Sequence, residues 1–330
     1  MVNGGIVGKG RRGLGFGLRA AGGQAMDWQA EITAAAGRIA PYLRITPVMD
    51  ATLPAAGRVA LKLENTQHTG SFKARGAFNT LVAGPVPKAG VVAASGGNHG
   101  AAVAYAAQTL GYPAKIFVPE YAGPAKIALI RAQGADLEVV PGVYADAAAR
   151  AEDYAAQTGA MQIHPYDARP TLAGQGTLMR EWEAQGLEAD TVLIAVGGGG
   201  LIAGSLAWLG GRRKVVGIEP VLAPTLHRAL AEGPTTRVEV SGIAANALGA
   251  STIGRMCYDL AKAQGTVSVL VTDKAIAEAQ ALLWRSLRQL VEPAGATALA
   301  ALTSGAYVPE PGERVAVLIC GANPAPDPVG

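Results

Sequence analysis

Short apolar runs alternate with alanine-rich stretches from residue 59 onward. Most of the apolar runs are continuous, which is typical of strands covered on both faces in a parallel sheet. They predict strands at residues 59–63, 90–94, 114–118, 137–140, 191–196, 214–218, 267–271 and 314–319. Helical patterns between them cover residues 99–110, 123–133, 143–157, 171–183 and 274–290. This succession predicts an α/β fold with open, twisted parallel sheets.

The length of the chain predicts two lobes. A single hydrophobic core stops growing at about 250–300 residues, and this chain has 330 residues, of which 50% are hydrophobic. No fixed-period repeat and no low-complexity linker divides the sequence into consecutive halves. We therefore expect the lobes to share the chain discontinuously, with a ligand site between them beyond the carboxyl ends of the strands.

Charge and composition exclude several classes of function. The net charge is only +3 and no basic run is interleaved with aromatic residues, so we expect no nucleic-acid partner. No apolar stretch approaches the roughly 20 residues that span a bilayer, so we expect no membrane partner. Two cysteines, Cys257 and Cys320, cannot form a disulfide framework, and we expect a cytoplasmic protein.

Residues 1–25 differ from the rest of the chain. They are rich in glycine and carry four basic residues without an acidic one. Targeting peptides share that charge pattern, but this segment lacks their serine content, and its glycines oppose a stable helix. We expect a disordered extension, or an upstream start before a true start at Met26.

A polar loop after the predicted strand 59–63 ends in a lysine. It runs from Glu64 to Lys73, and Phe72 precedes the lysine at the start of a helical stretch, residues 74–81. A lysine in this position can simply be a solvated cap. If it is partly buried, the helix dipole and the loss of solvation both favour the neutral amine, which is the form that reacts with an aldehyde.

The loop after the predicted strand 90–94 contains two adjacent glycines. It consists of Ser95, Gly96, Gly97, Asn98 and His99, and a helical pattern follows. Ser95 or Asn98 can cap that helix. The glycines can instead leave backbone N–H groups facing an anion such as a carboxylate. The loop alone leaves both interpretations open.

Four consecutive glycines follow the predicted strand 191–196. They are Gly197, Gly198, Gly199 and Gly200, and Leu201 comes next. A turn alone needs fewer glycines, so we expect a ligand close to the backbone, and a phosphate at a helix N-terminus fits. The sequence is not a P-loop, because no Gly-Lys-Ser/Thr follows. Glu219 stands near the distance of the acid in a dinucleotide fingerprint, so that alternative stays open.

Taken together, these motifs resemble one family. Residues 69–77, Thr-Gly-Ser-Phe-Lys-Ala-Arg-Gly-Ala, resemble the cofactor-lysine segment of the fold-type II (tryptophan synthase β-like) pyridoxal-phosphate enzymes in their serine/threonine dehydratase form. Residues 95–99 are similar to that family's substrate-carboxylate loop, and residues 197–200 to its phosphate loop. Further motifs match in the family's order, at residues 164–167, 173–177, 292–296 and 320–323. The resemblance extends from about residue 30 to residue 325.

The resemblance implies pyridoxal 5'-phosphate in a cleft between two lobes. It implies a large cofactor-binding domain of residues 26–85 and 168–330, a small domain of residues 86–167, and a homodimer or homotetramer. The implied activity is β-elimination of water from L-threonine or L-serine, which gives a 2-oxo acid and ammonia in amino-acid catabolism. Because the chain stops shortly after Asn323, we expect neither the regulatory domain of biosynthetic threonine deaminases nor their inhibition by isoleucine.

The resemblance also assigns residue roles. Lys73 holds the cofactor and then removes the substrate's α-proton, and Ser95 is the second catalytic residue. The implied cofactor contacts are Phe72, Lys73, Asn98, Gly197, Gly198, Gly199, Gly200, Leu201, Gly242, Glu292 and Cys320. The implied substrate contacts are Ser95, Gly96, Gly97, Asn98 and His99. Cys320 would contact the pyridine nitrogen, although a strand-end cysteine can also be a small buried hydrophobe.

The sequence departs from the family at several positions. Gly96 stands where serine racemases carry a serine that acts on the substrate, so we expect weak racemisation. Glu219 and Ala223 match a cation site, but Thr225 replaces a second carboxylate, so we expect no metal or a monovalent ion. Gly242 follows a serine instead of the usual aspartate. These departures leave the substrate open among threonine, serine, threo-3-hydroxyaspartate and phenylserine.

Three other functions remain open. A β-replacement synthase of the same fold, such as a cysteine synthase, usually has a different lysine segment and threonines in the phosphate loop. A nicotinamide oxidoreductase explains the glycine run and Glu219 but leaves Lys73 and the 95–99 loop unexplained. A non-catalytic binding protein can retain the fold without turnover.

Overall fold

Two separate β-sheets organise the protein. The structure is a computed structural model that describes residues 26–323, apart from the side chain of Tyr121. The extension expected at residues 1–25 therefore lies outside the described residues. The strands are β1 (Val48–Leu53), β2 (Gly57–Leu63), β3 (Val91–Ala94), β4 (Ala114–Pro119), β5 (Asp136–Val140), β6 (Met161–Gln162), β7 (Thr191–Ala195), β8 (Lys214–Pro220), β9 (Val267–Val271) and β10 (Val315–Ile319).

The larger sheet has the order β1-β2-β10-β7-β8-β9. Neighbouring strands in this sheet are parallel, except β1 and β2, which form an antiparallel pair at one edge. Every residue of β7 and β10 is buried, as expected of central parallel strands covered on both faces. The smaller sheet has the order β5-β4-β3-β6 and is parallel throughout. The predicted fold, an α/β protein with two parallel-sheet lobes, is confirmed.

Helices connect the strands in both lobes. They are α1 (Trp28–Ile39), α2 (Lys73–Val82), α3 (Asn98–Leu110), α4 (Pro124–Arg131), α5 (Tyr144–Thr158), α6 (Arg169–Ala184), α7 (Gly200–Leu209), α8 (Thr225–Glu232), α9 (Ala245–Leu248), α10 (Arg255–Ala263), α11 (Asp273–Leu287) and α12 (Pro293–Thr303). Short 3₁₀ turns lie at Ala40–Tyr42, Glu64–Thr66, His68–Gly70 and Glu120–Ala122. None of the helices between residues 26 and 323 is both long and apolar enough to cross a membrane.

Helix α2 joins the two lobes. It packs against α6 of the larger lobe and against α3 of the smaller one. Ala74, Phe78 and Leu81 of α2 belong to the same buried cluster as Val91 and Ile116 of the small sheet. Because α2 begins at Lys73, the lysine lies where the two lobes meet.

Candidate active site

A cavity lies between the lobes, at the carboxyl ends of the strands, with about 460 Å³ of empty space that is partly open to solvent. The segments that follow β2, β3, β7 and β10 all contribute to it, as expected for an open α/β sheet. Its lining consists of Phe72, Lys73, Asn98, Tyr166, Ala195, Gly197, Gly198, Gly199, Gly200, Leu201, Ala247, Leu248, Glu292, Ala294 and Cys320.

Lys73 is the first residue of α2, and its side chain points into this cavity. Its Nζ donates a hydrogen bond to the carbonyl oxygen of Pro165 at 2.8 Å and lies 5.3 Å from the centre of the Phe72 ring. Burial lowers the pKa of Lys73 to about 8, opposed only by the influence of Cys320. The amine is therefore available in the neutral, nucleophilic form at mildly alkaline pH.

The backbone around Gly70 fixes the position of Lys73. Thr69 and Gly70 have positive φ values of 58° and 72°. The chain then runs beside the end of β10, where the N–H of Phe72 donates to the oxygen of Cys320 at 3.3 Å. Glycine suits position 70 because a Cβ there would lie 2.5 Å from Oδ1 of Asn323. The loop thus holds Lys73 next to Cys320.

Two buried hydroxyl groups in the same loop have no hydrogen-bond partner among residues 26–323. They are Oγ1 of Thr69 and Oγ of Ser71, and Ser71 is fully buried. Buried polar atoms without a partner are rare in folded proteins, and a bound polar ligand is one explanation for them.

The glycine loop enters α7 at the head of the cavity. Gly199 has φ 92° and directly precedes the first helical residue, Gly200. The first N–H groups of a helix have no partner within it and form an anion site together with the helix dipole.

Protein atoms account for the glycines themselves. A Cβ at Gly198 would overlap the ring of Tyr166, and one at Gly197 would lie 2.8 Å from Cα of Leu248. The four-glycine run therefore reflects close packing of neighbouring chain segments. An anion site is indicated by the N–H groups and the cavity rather than by the number of glycines.

Asn98 connects the two lobes at the side of the cavity. Its Nδ2 donates to Oε1 of Glu292, and its Oδ1 accepts from Nδ2 of Asn323 at 2.7 Å. The same Asn323 amide donates to the oxygen of Thr69 at 2.7 Å. Burial raises the pKa of Glu292, and this exceeds the opposing effects of Lys126 and Asn98.

Cys320 forms one wall of the cavity beside Lys73. Its Sγ donates to the oxygen of Ala294 at 3.3 Å, and the side chain is buried. Burial raises the pKa of this thiol, so it stays neutral. A neutral thiol offers a weak, uncharged contact to a ligand.

Only Asn98 of the 95–99 loop has its side chain in the cavity lining. Oγ of Ser95 accepts from the N–H of Gly97 at 3.2 Å. Nε2 of His99 forms a hydrogen bond with the carbonyl oxygen of Ile163 at 2.9 Å. Burial lowers the pKa of His99 to about 3. His99 is therefore neutral and joined to the segment after β6.

Gly242 and Glu219 lie outside the cavity lining. Gly242 lies beside Asp273, whose Oδ2 accepts from the N–H of Ile243 at 3.0 Å. Glu219 is fully buried and accepts from the N–H groups of Leu226 at 2.7 Å and His227 at 2.8 Å. The carboxylate oxygens of Glu219 therefore accept hydrogen bonds from the first turn of α8.

Sequence reasoning assigned no role to several cavity residues. Tyr166 lines the cavity, and Asn323 lies outside the lining but bonds Asn98. Both stand inside matched motifs, which was the available signal, but neither was given a contact. Ala195, Ala247, Leu248 and Ala294 also line the cavity and carry no chemical signature in the sequence.

A family model described as "Pyridoxal-phosphate dependent enzyme" matches residues 39–321. The chain belongs to this family, and its two parallel-sheet lobes around a central cavity have the fold-type II architecture. The predicted resemblance is confirmed at the level of family and fold.

Particular relatives narrow the comparison. A phenylserine dehydratase of Ralstonia pickettii is 37% identical over 87% of this chain and 90% of its own length. An L-threonine ammonia-lyase of Thermotoga maritima is 35% identical over 81% of this chain and 67% of its own length. Among solved structures, a threonine deaminase from T.th. has a TM-score of 0.82 and 36% identity, covering 91% of this chain and 99% of that one. A maize serine racemase has a TM-score of 0.84 and 29% identity, covering 89% of this chain and 93% of that one.

Proposed function

We propose that this protein is a pyridoxal-phosphate-dependent ammonia-lyase that eliminates water from a β-hydroxy amino acid, L-threonine or L-serine. The products are a 2-oxo acid and ammonia. The observation that carries the proposal is a half-buried lysine of lowered pKa, Lys73, in a cavity that also contains a helix N-terminus and a neutral thiol, Cys320. Relatives at 35–37% identity with the names phenylserine dehydratase and L-threonine ammonia-lyase support it.

The residues of the cavity fit the cofactor. Lys73 would supply the amine for its aldehyde, and the N–H groups at the start of α7, at Gly200 and Leu201, would hold its phosphate. Phe72, Asn98, Glu292 and Cys320 line the remaining space. When bound, the cofactor takes up the electrons that the substrate's α-carbon releases.

The chain's own residues handle the proton and the orientation of the substrate. The neutral Lys73 amine, which donates a hydrogen bond to the oxygen of Pro165 at 2.8 Å, would accept the α-proton. The 95–99 loop offers backbone N–H groups at the start of α3 to the substrate carboxylate. We also propose Ser95 as a catalytic residue and Gly242 as a cofactor contact. Neither residue belongs to the cavity lining.

A neutral contact to the pyridine nitrogen favours elimination. Cys320 lines the cavity as a neutral thiol and would offer that nitrogen an uncharged contact. Such a contact would favour loss of the β-hydroxyl over transamination.

The wider organisation is also a proposal. We propose a large cofactor domain of residues 26–85 and 168–330 and a small domain of residues 86–167, supported by the division of the strands between two sheets. We further propose a cytoplasmic homodimer or homotetramer that acts in amino-acid catabolism. Any cation near Glu219 would have to compete with the donors that already bond its carboxylate.

The proposal is tested by assaying 2-oxo acid release from L-threonine, L-serine and phenylserine by the purified, cofactor-loaded protein. Wild type should release 2-oxo acid from at least one of them, and Lys73→Ala from none. Lys115→Ala is the control, because Lys115 lies outside the cavity. Cysteine formation from O-acetylserine and sulfide without 2-oxo acid release would favour a β-replacement synthase. A loaded protein without any turnover would favour a binding protein.

A further inference from the structure

Lys126 is a buried lysine that none of the roles above uses. It lies in the first turn of α4 and is only 4% exposed. Its ammonium group forms no hydrogen bond and no ion pair with any residue of the described chain, residues 26–323. Burying an ammonium group without a partner is costly, so its position calls for an explanation.

The ammonium group of Lys126 lies against the 95–99 loop. A Cβ built on Gly97 would be 3.7 Å from Nζ of Lys126 and 3.3 Å from the oxygen of Asn246. Asn246 belongs to α9, whose next two residues, Ala247 and Leu248, line the cavity. Lys126 is therefore next to the first turn of α3, at the boundary between the small lobe and the cavity wall.

Glu292 does not neutralise this lysine. The two side chains interact electrostatically but are not an ion pair, and Oε1 of Glu292 accepts from Asn98. Burial raises the pKa of Glu292, which favours the uncharged acid. Burial also lowers the pKa of Lys126. The pair thus lacks the negative charge that a fully ionised lysine would need, and an incoming carboxylate would supply it.

We propose that Lys126 is a substrate-binding residue whose ammonium group pairs with the carboxylate of the bound amino acid beside Gly97. The inference rests on the proposed function, because it assumes that the 95–99 loop receives the substrate carboxylate. It adds a charged side chain to a site that otherwise consists of backbone N–H groups and the dipole of α3. The carboxylate pairs with Lys126 and removes the penalty of its unpartnered burial.

The experiment compares two ligands that differ only in the carboxylate. L-alanine and L-alaninamide lack a β-hydroxyl and undergo no elimination of water, and their dissociation constants for the holoenzyme are measured by calorimetry. Lys126→Met removes the charge at similar length, and Lys126→Gln is the second variant if the first does not fold. Lys274→Met is the control, because the Lys274 side chain is 85% exposed on α11.

The proposal predicts that Lys126→Met weakens L-alanine binding by about 10–100-fold, the effect of losing one hydrogen bond to a charged group. Binding of L-alaninamide should stay within a few-fold of wild type. In turnover, KM for the amino acid should rise more than kcat falls. Unchanged binding of L-alanine, or equal weakening of both ligands, would overturn the proposal. A wild type without elimination activity refutes the proposed function instead, and the alanine-to-alaninamide ratio still tests Lys126.

Discussion

A buried ion-pair network involves α2, the helix that begins at Lys73. Arg75 follows Lys73 by two residues in α2 and is 2% exposed. Its guanidinium group donates to both oxygens of Glu64, at 2.7 and 2.8 Å, and to Oε2 of Glu181 at 2.9 Å. Lys62 is fully buried and donates to Glu181 at 2.6 Å. The network joins α2, which carries Lys73, to β2 and α6.

Replacing Arg75 with methionine should destabilise the protein strongly. The substitution leaves Glu64, which is fully buried, without the guanidinium group that satisfies both its oxygens. Breaking a buried pair by removing one partner costs about 3–5 kcal/mol, because an uncompensated buried charge remains. The loss in free energy of unfolding is measured by urea denaturation of the apoprotein, followed by circular dichroism.

Two further variants make this experiment decisive. Arg314→Met removes an arginine from an exposed pair with Asp190, so its loss should be much smaller. Arg75→Met combined with Glu64→Gln removes the orphaned charge and should recover part of the stability. An Arg75→Met protein that loses no more stability than Arg314→Met would refute the reasoning.

Three other outcomes follow from the geometry of the site. Since burial lowers the pKa of Lys73 to about 8, the initial rate of cofactor uptake, read from visible absorbance, should rise with pH and level off above that value. A rate that still climbs at about pH 10, the range of an ordinary lysine, would contradict this. Gly198→Ala should weaken cofactor binding at least tenfold in an equilibrium titration, because the new Cβ would overlap the ring of Tyr166 and displace the loop; unchanged affinity would contradict it. Wild type should invert the α-carbon of L-serine far more slowly than it eliminates water, and Gly96→Ser should not restore inversion, since its Cβ would overlap Ala122. Inversion as fast as elimination in either protein, measured by chiral chromatography, would refute that expectation.

The prediction for Gly198 has a matched control in the same chain. Gly37 lies in α1, and a Cβ there would meet nothing within 4 Å. Gly37→Ala should therefore leave cofactor affinity unchanged.

The sequence predicted the interior of the fold better than its edges. All eight predicted strands are present, because each is a largely apolar run in a parallel sheet. Strand β1 was not predicted, because Val48–Leu53 has no continuous apolar run. Its side chains are mostly exposed or half-buried. Strand β6 was missed because it has only two residues, Met161 and Gln162.

The candidate site was predictable where chemistry depends on a local motif. Lys73, Asn98, Cys320 and the 197–200 segment follow strand ends and meet in one cavity. Lys126 gave no such signal, because a lysine within an alanine-rich helical pattern looks solvated until a neighbouring lobe covers it. The ion-pair network around Arg75 could not be predicted either, because its partners come from separate segments of the chain.

The central claim is that Lys73 is the residue that binds the cofactor. The direct measurement is borohydride reduction of the protein loaded with pyridoxal phosphate, followed by peptide mass mapping. Lys62 and Lys126 are buried and Lys73 is half-buried, and Lys73 alone of these three lines the cavity. We predict a stoichiometric label on the peptide that contains Lys73 and a loss of that label in Lys73→Ala. A label on Lys126 or another lysine, or no label at all, would contradict the claim.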